Sequence, residues 1–148
     1  MTDGESASLS AQLAQRIRAA IAAEGGWLPF DRYMAMALYE PGLGYYAHGG
    51  RKFGAMPGSG SDFVTAPEMS PLFGRALAVQ VEQALAACGS SEVWEFGAGS
   101  GALAAQLLQA LGSRVSAYHV VELSAALRQR QAERLAPWAG RVHWHDWL

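Results

Sequence analysis

Two glutamates and three glycines carry the strongest chemical signal in the chain. In "VWEFGAGSG", Val93 to Gly101, an apolar run is broken by Glu95 and then passes into alternating Gly97, Gly99 and Gly101. Glycines at such a turn let a ligand lie against bare backbone, and a helix that starts there aims free N–H groups at it. A second acidic residue, Glu122, closes the apolar stretch "AYHVVE". It follows Gly99 by about 20 residues, the spacing at which a carboxylate reaches a ribose in a strand–turn–helix–strand unit. The pattern points to a ligand of adenosine type.

Two such ligands compete for the loop. A dinucleotide would read Gly97, Gly99 and Ala102 as its phosphate turn, and its diphosphate would then lie beside the negative charge of Glu95. S-adenosylmethionine has no phosphate and carries a sulfonium and an α-ammonium, both attracted to a carboxylate. Two like charges about 4 Å apart repel by roughly 4 kcal/mol at an effective dielectric near 20, enough to decide the matter. Gly101 also suits an "ExGxGxG" loop of the methyltransferase kind. The expected ligand is therefore S-adenosylmethionine, with NAD the disfavoured alternative.

The elements needed to position these groups are legible around them. "EVWEF" reads as a strand, "GALAAQLLQALG" as a helix stopped by Gly112, and "RVSAYHVVEL" as a second strand. A helix capped by Ser124 and stopping before Pro137 follows, and then a third strand in "RVHWHDWL". Alternation of this kind implies parallel strands joined by right-handed crossovers. Upstream, apolar residues at Leu9, Leu13, Ile17 and Ile21 form one helical stripe that ends at Gly25-Gly26. "PFDRYMAMALYEP" predicts a short helix with Pro29 in its first turn and Pro41 beyond its end. The stretch from Gly42 to Pro67 lacks periodicity and reads as a long functional loop, and Ser70-Pro71 caps a helix running to about Cys88 and closed by Gly89. The expected division is a helical, loop-rich cap over residues 1–90 and a sheet domain over 91–148.

Composition narrows the function classes. The 148 residues are 51% hydrophobic and 16% charged, with a net charge of −2. The 11 Lys and Arg are scattered, so the basic stripe of a nucleic-acid binder is missing. No apolar run is long enough to span a bilayer, and the opening "MTDGESASLS" resembles neither a signal nor a transit peptide. A cytoplasmic location is expected. The single cysteine, Cys88, suits a reducing compartment and reads as a small packing residue on an alanine-rich face. His143 and His145 share one strand face, but two histidines without further ligands do not make a metal site. The aromatics of "LGYY" read as a cover over the sheet, and Arg51-Lys52 as a solvated basic spot.

Four segments in order, "FDRYMAMALYEPGLGYY", "SDFVTAPEMSPLFG", "VWEFGAGSGALAAQLL" and "YHVVELSAALRQRQAERL", resemble the MidA-like S-adenosylmethionine-dependent methyltransferases. The resemblance covers nearly the whole chain beyond the first helix, and "DFVTAPE" is its most specific motif. Ser61 stands where that family usually has glycine. The resemblance implies an α/β, Rossmann-like class I methyltransferase fold, truncated after about the third parallel strand, since family members are more than twice as long and carry a later "NEFFDALP"-like segment. In an isolated piece of this kind the first strand would be an exposed edge and an aggregation liability.

The resemblance further implies protein arginine methylation, with a protein substrate as partner. Glu95, Gly97, Ala98, Gly99 and Gly101 are then expected around the methionine end of the cofactor. Glu122 is expected at the ribose, with Leu123 beside it, and Asp146 near the adenine amino group unless it is an ordinary surface residue. Asp62 and Glu68 of "SDFVTAPE" are the carboxylates that could approach an acceptor guanidinium as catalytic groups. The bland reading gives Glu68 to the first turn of its helix and Asp62 to a turn. The alternative function is an assembly module that keeps the fold and performs no chemistry.

Overall fold

The computed structural model describes residues 3–47 and 64–146 of the chain. Asp62, Ser61 and Arg51-Lys52 lie outside the described residues. By backbone contacts the chain divides into two units, Met1–Gly50 and Arg51–Leu148.

The first unit pairs helix α1 (Asp3–Ala23) with helix α2 (Phe30–Tyr39). α1 begins at Asp3, so backbone hydrogen bonding extends into the polar leader once the apolar turns have nucleated it. Gly25 and Gly26 take φ of +77° and +98°, the left-handed stop expected of that dipeptide. Pro29 sits one position earlier than foreseen, at the N-cap of α2. An ion pair of 2.7 Å from Arg16 to Glu40 ties the end of α2 back to α1. The "LGYY" aromatics fold onto α2 through Tyr45 N–H to Ala37 O and Tyr46 N–H to Leu38 O, and Tyr45 meets Tyr46 edge-on.

The second unit runs α3 (Ala66–Met69), α4 (Pro71–Cys88), β1 (Glu92–Phe96), α5 (Ala102–Leu111), β2 (Ala117–Val121), α6 (Ala125–Leu135) and β3 (Val142–His145). The strands are parallel in the order β1-β2-β3, with Trp94 opposite His119 and His119 opposite His143. Ser70 caps α4 by accepting from Leu72 N–H, Gly89 closes it in the left-handed region, and Ser124 caps α6 by accepting from Leu127 N–H. The compact unit starts well before residue 91 because α4 belongs with the sheet. Ala78 of α4 joins Leu107, Leu108 and Leu111 of α5 over Tyr118 and Val120 in one core. α3 was not foreseen; four residues with a proline in the first turn give no periodic signal.

Strand alternation divides the sheet into two unlike faces. One carries Val93, Glu95, Tyr118, Val120 and Val142 into the helices. The other carries Trp94 (44% exposed) and Phe96 (61% exposed) with His119, His143 and His145. On that face the Trp94 ring stacks on His119 at 4.2 Å, and His119 Nδ1 lies 3.0 Å from His145 Nε2. Burial holds the His119 imidazole below its ordinary pKa, aided by His143 and His145 and opposed by Glu92. Among the described residues no group of three or more such side chains is arranged to hold a metal. Cys88 corrects the packing expectation: it is exposed, since the last turn of α4 runs past the core. No described helix is long and apolar enough to cross a membrane.

One glycine lets α4 and α5 approach closely at the start of their contact. Gly74 is buried, its N–H donates to Gln106 Oε1 at 3.0 Å, and a Cβ built on it would overlap the Gln106 side chain as far back as that residue's own Cβ. Gly74→Ala should therefore destabilise the chain by about 1–3 kcal/mol, the usual cost of overpacking. Urea unfolding should show this as a lower midpoint; an unchanged midpoint would contradict the close approach.

Candidate functional site

The C-terminal ends of the three strands form one rim. Gly97 N–H donates to Val121 O at 2.9 Å, and Glu122 N–H donates to His145 O at 2.9 Å. The residues just beyond β1, β2 and β3 are thereby set side by side, in the position where open parallel sheets bind ligands. Glu95, Glu122 and Asp146 are the acidic residues at or beside these three ends.

The turn after β1 needs its glycines for their backbone angles. Gly97, Gly99 and Gly101 all have positive φ, at +66°, +55° and +78°, a region that L side chains rarely adopt. An added Cβ at Gly97 would meet no protein atom within 4 Å, so conformation rather than packing demands glycine there. Gly101 is the N-cap of α5, and no side chain caps that helix. A cleft of about 170 Å³ opens at this turn, lined by Glu95, Gly97, Ala98, Gly99, Ser100, Ala102 and Leu103, with Thr65 and Pro67 also in its wall.

Glu95 is the charged group of this cleft. Its Oε2 accepts from the Tyr118 hydroxyl at 2.7 Å, and no cation pairs with it among the described residues. Burial raises the Glu95 pKa, and the Tyr118 hydrogen bond only partly opposes the rise. Tyr118 is itself fully buried, and burial together with the Glu95 charge pushes its phenol well above the ordinary range.

Glu122 is buried. Its Oε1 accepts from Ser124 N–H at 2.9 Å and its Oε2 from Gln131 Nε2 at 3.1 Å. A carboxylate has about four lone-pair positions, so both oxygens keep capacity for further donors. Gln131 is the hub of the rim. Its amide nitrogen also donates to Gly99 O at 3.0 Å, and its Oε1 accepts from Trp144 Nε1 at 3.0 Å. One fully buried amide therefore joins the glycine turn, the end of β2 and strand β3. Leu123 and Asp146 are both exposed beside this rim, and Ala98 is buried within the turn.

Glu68 stands in the first turn of α3, the bland one of its two expected roles. Its Oε1 accepts from Arg134 Nη1 at 2.7 Å and from the Ser100 hydroxyl, and it does not line the cleft. Burial pushes its carboxyl up, but the bonds from Arg134 and Ser100 and the guanidinium charge outweigh this and hold it below the ordinary value. Asp62, the other candidate catalytic carboxylate, is outside the described residues.

Sequence reading missed Tyr118, Gln131, Ser100, Arg134 and Thr65. Gln131 left a usable trace, because it interrupts the apolar stripe Leu127, Gln131, Leu135 on α6, where a polar residue requires partners. Arg134 left none, being 66 positions from Glu68.

A family model described as "Putative S-adenosyl-L-methionine-dependent methyltransferase" matches residues 73–148. Among curated relatives, the mitochondrial protein arginine methyltransferase NDUFAF7 of Danio rerio is 34% identical over 140 residues, covering 88% of this chain and 32% of the relative. Its counterpart in Mus musculus is 37% identical over 121 residues, covering 75% of the chain and 27% of the relative. A COG1565 superfamily member from Burkholderia thailandensis, crystallised with S-adenosylhomocysteine, superposes with a TM-score of 0.86 at 51% identity, over 100% of this chain and 40% of that one. The chain thus spans about a third of the length of the curated relatives it matches. With the glycine turn, its acidic rim and three parallel strands in common register, this chain belongs to the MidA-like S-adenosylmethionine-dependent methyltransferase family.

Proposed function

We propose that the chain forms the cofactor-binding part of an S-adenosylmethionine-dependent protein arginine methyltransferase. The observation that carries this reading is the partly buried Glu95 carboxylate, beside a turn of left-handed glycines and with no cation paired to it among the described residues. Such a group repels a diphosphate and favours a ligand that brings positive charge.

The residues present suit that cofactor. Glu95 offers its free oxygen to a cation, and Gly97, Ala98 and Gly99 leave the backbone open for close approach. The cleft, at about 170 Å³, is smaller than the roughly 300 Å³ at the lower end for ligand pockets, so it takes the methionine end only. The rest of the ligand would run along the rim, with its ribose hydroxyls donating to the lone pairs that Glu122 keeps free. Leu123 and Asp146 flank the adenine side. Thr65, the N-cap of α3 whose side chain makes no capping bond, has a hydroxyl available to the ligand's carboxylate.

When bound, S-adenosylmethionine supplies a methyl group on a cationic sulfur. The chain's task is then alignment: holding the methyl in line with an acceptor nitrogen and excluding other poses. The Tyr118 hydroxyl fixes one Glu95 oxygen and so orients the other. Protein arginine as the acceptor is supported by the names of the curated relatives. Accordingly, the longest protein product carrying this chain should transfer labelled methyl from S-adenosylmethionine into methylarginine of a lysate protein. Cofactor binding with no label in any protein would favour an assembly module instead.

Glu95 gives two coupled expectations. Titration calorimetry should find S-adenosylmethionine binding more tightly than NAD, and Glu95→Gln should weaken the former at least about tenfold, the loss of one hydrogen bond to a charged group. The folded chain holds the Glu95 proton to higher pH than the unfolded chain does. Stability from this group therefore falls as pH rises from the ordinary glutamate value through the raised one, while cofactor affinity climbs across the same interval. At neutral pH Glu95→Gln should raise the melting temperature of the ligand-free chain even as it removes binding; a lower melting temperature would contradict the burial argument.

A further inference from the structure

The wall of the cleft facing the glycine turn comes from the segment before α4, and a set of hydrogen bonds pins it in place. Thr65 and Pro67 line the cleft. The Pro67 carbonyl accepts from Gln106 Nε2 at 2.7 Å, which anchors that wall to α5. The next residue, Glu68, reaches in two directions. Its Oε1 accepts from the hydroxyl of Ser100, inside the glycine turn, and from Arg134 Nη1, on α6, at 2.7 Å. The same Arg134 nitrogen donates to Ser100 Oγ at 2.9 Å. Three separate elements thus close a triangle of charged and hydroxyl groups.

The position of Ser100 gives the triangle its leverage. It lies between Gly99 and Gly101, both with positive φ, in a stretch where the missing side chains leave the backbone many alternatives. Ser100 is the one residue between those glycines with a side chain to anchor. Exposed ion pairs contribute little, about 0–1 kcal/mol. Here, however, the Glu68 side chain is only 9% exposed, against 40% for Arg134. Removing the guanidinium would leave a largely buried carboxylate short of a partner, which is far more damaging than losing a surface pair.

We propose that Glu68, Ser100 and Arg134 form a positioning clasp that sets the distance between the Thr65–Pro67 wall and the glycine turn. Glu68 and Arg134 are positioning residues: they act on the ligand through Ser100 and the wall and touch neither cofactor nor acceptor. The proposal rests on the cofactor reading for its consequence, though the clasp itself is a property of the ligand-free chain. It also gives a physical reason for the acidic end of "TAPE".

Amide hydrogen exchange on the ligand-free chain tests the clasp directly. Glu68→Gln is isosteric and keeps a bond to Ser100, so folding is preserved; Arg134→Gln removes the other corner. Each should speed exchange at residues 97–103 and 65–69 about tenfold, as expected from losing one charge-assisted bond. Protection in β2 and β3 should stay unchanged, the double variant should add little to either single one, and Arg134→Lys should restore most of the protection. S-adenosylmethionine affinity, read by calorimetry, should fall about tenfold in both Gln variants. Unchanged exchange in the turn, or acceleration there only alongside β2 and β3, overturns the proposal. If the unsubstituted chain bound no S-adenosylmethionine while the variants still loosened the turn, the cofactor reading would fail and the clasp would stand.

Discussion

A partly buried carboxylate, with one phenol as its partner among the described residues, sets the terms for this molecule. Glu95 ends the first strand on the core-facing side of the sheet, where burial disfavours its charge and the Tyr118 hydroxyl only partly compensates. A fold optimised for stability alone would place an apolar residue there. The surrounding features make sense as ways of tolerating that charge and presenting it: a helix N-terminus left without a side-chain cap, glycines that admit a ligand to the backbone, and a neighbouring strand that supplies the single hydroxyl donor.

Around that charge the sheet and helices act as a frame with few joints. Parallel pairing sets Gly97 and Glu122 beside one another at the strand ends. Gln131 then ties the turn, the second carboxylate and Trp144 together through one amide with no exposure to solvent. Gln106 plays the matching part on the opposite side, joining α4 through Gly74 N–H and the cleft wall through Pro67 O. Each of these amides meets several backbone or side-chain groups at once, so small shifts in either helix are felt at the cleft. The second face of the sheet is built differently, from stacked Trp94 and imidazoles, and contributes nothing to the cleft.

Elements with strong local signals were legible from the residues alone. The strand–helix alternation from Glu92 onward, the Ser70 and Ser124 caps and the Gly25-Gly26 and Gly89 stops all follow from periodicity and capping chemistry acting within a few residues, whereas the strand order is implied by the family resemblance. Glu95, the glycines and Glu122 stood out because their chemistry and spacing are local as well. What escaped detection depends on pairing between distant positions. Tyr118 gave no sign of its role until the parallel register brought it within reach of Glu95, and nothing near Glu68 in sequence announced Arg134, 66 positions away. Cys88 reads as buried by residue type, yet lies on a helix end that outruns the core. No local feature announces that α4 packs on α5 in one core with the sheet.

The most direct measurement is the titration of the Glu95 carboxyl carbon by NMR, in the ligand-free chain and again with saturating S-adenosylmethionine. The account predicts a midpoint above that of an ordinary glutamate without ligand and a clear fall once the cationic ligand is bound. A normal midpoint in the free chain, or one that ignores the ligand, would contradict it.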